Sequence, residues 1–221
     1  MPTREFIVLR MTTEQQIRLH QHLFPGDGKE GVALALCGTH RSDRRTVLCV
    51  HLIKEVPIEL CLERSPVQVV WPMEPFVPLF SDAARKGMAV LKIHSHPMGS
   101  GRFSTLDGKS DRALLGSLNC LAPIATGHVS AVMLPDGSMF ARVYTEAKRF
   151  RRVDRVTVVG DEVVHHGETR KKHATDEAFL RTIQAFGQGT VSALNQMRVG
   201  VVGCSGTGSW VVEMLARLGV G

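Results

Sequence analysis

The stretch from Met88 to Asp107, MAVLKIHSHPMGSGRFSTLD, does most to limit what this chain can fold into. Met88 to Ile93 form an apolar run of strand length, and the chain leaves it at His94. Pro97 cannot extend a central strand, so the backbone must turn there. Alternate residues at a strand end face the same way. His94 and His96 therefore aim both imidazoles at one point, and Ser95 faces the other side. Gly99 and Gly101 let the chain curl back to a helix start. Two readings stay open for this arrangement. In one, STLD is a capping box with Ser104 as N-cap and Asp107 three residues on, and the stretch is a strand end, a turn and a cap. In the other, Asp107 adds a carboxylate oxygen to two imidazole nitrogens. That donor set is a typical catalytic zinc shell, with the fourth position left for water.

The rest of the chain reads as a mixture of strands and helices without strict alternation. Glu5 to Arg10 predict a first strand, and Thr12 or Thr13 caps a helix over TEQQIRLHQHLF. GVALALCG and RTVLCVHLI predict two buried strands joined by a polar turn. VQVVW predicts another short strand, and FVPLFSDAARKG becomes helical toward its end. DGKSDRALLGSLNCL predicts a helix, and HVSAVMLP with MFARVY a hairpin around DGS. The expected fold class is α/β or α+β, with helices packed on one sheet.

The HSHP and STLD segments together resemble the JAMM (MPN+) zinc metalloprotease family. Its motif is an early glutamate, then HxHP, then SxxD, and His94, His96, Pro97, Ser104 and Asp107 match at the family's spacing. The resemblance implies a cytidine-deaminase-like sheet with flanking helices. It implies a Zn2+ ion bound by His94, His96 and Asp107. Glu30, in GKEGVALALCG, stands where the family has its general base. Gly38, which ends that strand, lies one residue further along than in the family's commonest form. Read on its own, Glu30 is also compatible with a strand-edge carboxylate in solvent. Ser104 is implied as the donor to the developing oxyanion. Such enzymes cut after the C-terminal tail of ubiquitin or a ubiquitin-like protein. The apolar, proline-containing segment from Cys61 to Leu79 is expected either to border the tail's groove or to pack in the core.

The last segment, MRVGVVGCSGTGSWVVEMLARLGVG, predicts a strand, a glycine turn and a helix. Gly203, Gly206 and Gly208 would let backbone approach a phosphate at the helix N-terminus, or simply shape the turn. The turn resembles the GxGGxG of the ThiF and ubiquitin-activating adenylyltransferase family, with Ser205 at the middle glycine. That implies the first strand-helix unit of a Rossmann-like domain, which cannot adenylate without the rest of its sheet. The expected organisation is a JAMM domain over 1–145, a basic linker over 146–184 and the adenylyltransferase start over 185–221. Within the linker, the strand RVTVVG is expected to stand alone.

Composition narrows the partners. The +6 charge concentrates in AKRFRRVDR and TRKKH, but the aromatics that nucleic-acid platforms interleave are nearly absent. A solvated segment is the simpler expectation. The N-terminus shows no secretory pattern and the apolar runs are strand-sized, so a cytoplasmic protein with no membrane contact is expected. Five scattered cysteines without a CxxC pair are expected to be buried thiols. The expected partners are a ubiquitin-like protein or its conjugates, together with a ubiquitin-conjugating-type enzyme. A peptidase acting on a sulfur-carrier protein, or a non-catalytic scaffold, are the alternatives.

Overall fold

The computed structural model describes residues 5–167 and 179–220. The chain divides into two compact units, Met1–Glu168 and Thr169–Gly221.

The first unit is a curled mixed sheet with helices on both faces. Its strands are β1 (Phe6–Thr12), β2 (Val32–Arg41), β3 (Arg45–Glu55), β6 (Ala89–Ser95), β7 (His128–Met133), β8 (Met139–Tyr144), β9 (Phe150–Arg152), β10 (Arg155–Val159) and β11 (Val163–Gly167). They lie in the order β11-β10-β1-β3-β2-β6-β7-β8-β9. The short strands β4 (Glu63–Ser65) and β5 (Gln68–Val70) form a separate hairpin. β1 runs parallel to β3 and β10, and β6 runs parallel to β7; the other pairs are antiparallel. β6 and β7 are buried at every residue, including the polar Lys92, His94, Ser95, His128 and Ser130.

Helix α1 (Thr13–Leu23) starts at a capping box. Thr12 Oγ1 accepts from Gln15 N at 3.1 Å, and Gln15 Oε1 accepts from Thr12 N at 2.9 Å. Its buried Leu19 and Leu23 cover Leu9, Ala35, Leu91, Ile93 and Ala131 on one face of the sheet. On the other face, α2 (Val77–Lys86) and α3 (Thr105–Leu121) contribute Phe80, Ala83, Leu115 and Leu118. These pack on Val32, Leu34, Leu36 and Val90. Strand alternation puts Val90, Lys92 and His94 on this second face, beneath α3.

The sheet reaches further along the chain than the expected boundary at residue 145. Residues 150–167, assigned by sequence to a basic linker, supply β9, β10 and β11. RVTVVG does not stand alone: β10 lies between β1 and β11. Asp154 fastens it, accepting from Ile7 N through its carboxylate at 2.7 Å while its own N–H donates to Ile7 O at 2.9 Å. The reason is pairing. β1 has one edge against β3, and its other edge needs a partner that only the distant β10 provides. The basic run joins in: Arg151 ion-pairs with Glu5 at 2.8 Å, and Arg155 lies over the Phe6 ring. TRKKH lies outside the described residues.

The second unit holds α4 (Leu180–Gln196), broken at Gly187, and α5 (Thr207–Arg217). Among the described residues, the strand expected before the glycine turn is not formed. No described strand of this unit offers it a ladder partner. Among the described residues, no helix is long and apolar enough to cross a membrane. The five cysteines are free thiols, but only Cys37 is buried, while Cys49, Cys120 and Cys204 are exposed.

Candidate metal centre

Three elements of the first unit deliver the predicted site residues to one place. β6 ends at Ser95, so His94 is its penultimate residue and His96 the first beyond it. Glu30 immediately precedes Gly31 and β2, whose Val32 pairs in register with His94. Asp107 lies in the first turn of α3. Glu30, His94, His96 and Asp107 are 4%, 1%, 7% and 8% exposed, so four ionisable groups share one buried spot.

One ligand atom from each of Glu30, His94 and His96 lies within 4.8 Å of the other two, a buried group able to hold a metal ion. Asp107 lies beside this group: its Oδ1 is 2.9 Å from His94 Nε2 and its Oδ2 is 3.4 Å from His96 Nε2. Ligands about 2.0–2.1 Å from a tetrahedral zinc stand about 3.3 Å from one another, so these separations suit a shared ion. Alignment points the same way. Neither ring nitrogen of His94 has an aligned hydrogen-bond partner, although both are buried. A buried imidazole left this way is costly, and a common cation would satisfy its Nε2.

His96 is oriented from behind. Its Nδ1 faces Ser100 O at 2.8 Å; a carbonyl only accepts, so Nδ1 carries the proton and Nε2 is free for a ligand. STLD forms the expected capping box. Ser104 Oγ accepts from Asp107 N at 3.0 Å, and Asp107 Oδ2 accepts from Ser104 N at 2.6 Å. The two readings are compatible because a carboxylate has two oxygens: Oδ2 serves the cap while Oδ1 faces His94. Ser104 is exposed, and its hydroxyl, an acceptor in the cap, keeps its own proton to donate.

Burial sets the electrostatics. Desolvation raises Glu30 to about 7 and lowers His94 to about 4. Burial also works against the charged forms of His96 and Asp107, but the contact with Asp107 raises His96, and the contacts with His94 and then His96 lower Asp107. Glu30 is therefore a buried carboxyl poised near neutrality, not a solvated strand-edge acid. The β4–β5 hairpin keeps it there. Glu30 N donates to Ser65 O at 2.9 Å, and Arg64 Nε donates to Glu30 O at 2.9 Å while Arg64 pairs with Asp27 at 2.7 Å. Of the two expectations for Cys61–Leu79, core packing is the one observed. The hairpin borders the site, while Trp71, Met73 and Leu79 pack against the core.

Other residues at the site escaped the sequence reading. Lys92 and Asp111 form a buried ion pair at 2.8 Å beside the histidines, and Arg142 reaches Asp111 at 2.6 Å. A signal existed: a lysine inside the apolar run MAVLKI needs a buried partner. Among the remaining histidines, His128 is structural, accepting from Val90 N at its Nδ1 and reaching Ala122 O from its Nε2. His165 and His166 lie in strand β11, not in a solvated turn.

In the second unit, Gly203, Gly206 and Gly208 shape the turn before α5. Gly203 has φ +89°, and a Cβ on Gly208 would stand 1.9 Å from Gly203 O. The glycines are thus required by the turn itself, whatever else it does.

No protein-family model matches the chain. Among solved structures it is similar to the solution structure of protein DSY2949 from Desulfitobacterium hafniense, at 17% identity and a TM-score of 0.44, over 69% of this chain and 94% of that one.

Proposed function

We propose that the chain is a zinc-dependent peptidase or isopeptidase that cleaves after the C-terminal tail of a ubiquitin-like protein. One observation carries this reading: Glu30, His94, His96 and Asp107, from separate parts of the chain, converge in one buried cluster. His94, His96 and Asp107 would hold the ion. What zinc supplies when bound is Lewis acidity, which polarises a carbonyl and acidifies water to near neutral pH.

The protein's own groups do the rest. Glu30, held near pKa 7, takes a proton from the attacking water and passes it to the leaving amine. Its burial keeps the proton at the reacting atoms. Ser104 donates its free hydroxyl proton to the oxygen that gains charge, an interaction worth about 3 kcal/mol. An extended substrate would lie beside the β4–β5 hairpin next to Glu30. The ubiquitin-like substrate follows from the motif resemblance, as does a nucleotide role for Gly203, Gly206 and Gly208 in a ThiF-like segment.

The test is hydrolysis of a fusion carrying a ubiquitin-like tail. Glu30→Gln is expected to retain zinc and to lose about 10²–10⁴-fold in rate. Wild-type hydrolysis that survives this substitution would remove Glu30 from the chemistry. A zinc-loaded wild-type chain inert toward every such fusion would count against the substrate class.

A further inference from the structure

We propose that the buried Lys92–Asp111–Arg142 cluster is a positioning device that sets the register of α3 against β6 and so holds Asp107 at ligand distance from His94. The inference rests on the metal reading above.

Two cross-links join the same two elements. His94 Nε2 stands 2.9 Å from Asp107 Oδ1, and Lys92 Nζ stands 2.8 Å from Asp111 Oδ1. Lys92 and His94 are two residues apart on one face of β6, a rise of about 6.6 Å. Asp107 and Asp111 are four apart on one face of α3, a rise of about 6 Å. The two rises match, so both links form together only in one alignment of helix and strand. A slip of one residue in either direction separates Asp111 from its lysine.

The cluster is tied to the sheet as well. Lys92, Ser130 and Arg142 are in register across β6, β7 and β8, so both cations rise from one row. Arg142 Nη2 reaches Asp111 Oδ2 at 2.6 Å. Its guanidinium lies 3.7 Å from the Phe103 ring centre and 3.9 Å from that of Phe150. Phe103 directly precedes Ser104, the N-cap of α3, and stacks edge-on against Phe140 at 5.0 Å. The same arginine therefore pins the loop that leads into the helix. Asp111 is 0% exposed, and a charge cluster this deep gains little over apolar packing. Its best-attested use is to specify one register.

The test measures zinc affinity by competition with a chromophoric chelator, and records the d–d spectrum of the cobalt-substituted protein. Lys92→Met combined with Asp111→Leu replaces the pair by apolar groups. It is expected to fold, to bind zinc about 10–100-fold more weakly and to shift the cobalt bands. Asp111→Glu keeps the charges, lengthens the arm by one methylene and guards against a double variant that does not fold. It is expected to show a smaller loss with the same spectral direction. Wild-type affinity and wild-type cobalt bands in either folded variant would overturn the proposal while leaving the metal site standing. A wild-type chain that takes up no zinc would overturn both.

Discussion

The sheet unit and the C-terminal unit each carry a short motif, and the two motifs meet different fates. The ionisable residues of HSHP and STLD are enclosed: a strand start, a strand end, a hairpin and a helix close around His94, His96 and Asp107, and with Glu30 four ionisable groups end less than one-tenth exposed. The glycine turn before α5 keeps its local geometry without such an enclosure. Trp210, on α5, is 65% exposed, and Val202, Val211, Val212 and Met214 are exposed beside it. A motif specifies backbone shape within a few residues. Chemistry needs desolvation, and that comes from distant parts of the chain.

The largest effect that sharpens this contrast is on metal content. His94→Ala or Asp107→Ala is expected to reduce zinc from about one per chain to near zero by elemental analysis, whereas Gly206→Ala leaves it unchanged. Zinc retained in His94→Ala would break the comparison at its root. Next in size is packing. Leu34→Ala, at a fully buried site, is expected to cost about 2–5 kcal/mol in urea unfolding, and Trp210→Ala less than about 0.5. Equal costs would mean that the exposed apolar face of α5 is packed after all.

A smaller effect tests Glu30 without substrate. Its folded pKa is raised to about 7 from an ordinary 4.5. Folding therefore favours its neutral form, and that contribution to stability is lost as pH rises from about 4.5 through 7. In chelator-treated protein at pH 8, Glu30→Gln is expected to stabilise by about 1–3 kcal/mol. No gain, or a loss, would mean that the carboxyl is solvated. The smallest effect concerns the α1 cap, where Thr12→Ala is expected to cost about 1 kcal/mol and to leave zinc binding untouched.

Much of this was legible residue by residue. The apolar run ending at His94, the turn at Pro97, the capping box of Ser104 and Asp107, and the β7–β8 hairpin all follow from period, breaker and cap. Each is a local property, and each stands where expected. The strand over RVTVVG was legible too, but its partner was not, because pairing with β1 spans about 145 residues and no local signal encodes it. The linker expected over 146–184 gave way to strands over 150–167 for that reason: charge density marked Ala147 to Arg155 as solvated, while strand pairing and Glu5 drew part of it into the sheet. The same limit hid Asp111 and Arg142, ordinary surface charges until the fold brings them to Lys92.

The amino-acid order alone therefore decided that two imidazoles face one way and that a carboxylate opens the next helix, because strand alternation and capping operate over two to four residues. Tertiary structure decided that Glu30 joins them, that His94 is buried with its Nε2 against Asp107 and its Nδ1 without a hydrogen-bond partner, and that a lysine is locked beneath the site. Those outcomes depend on which strand lies beside which, and on how completely water is excluded once they meet.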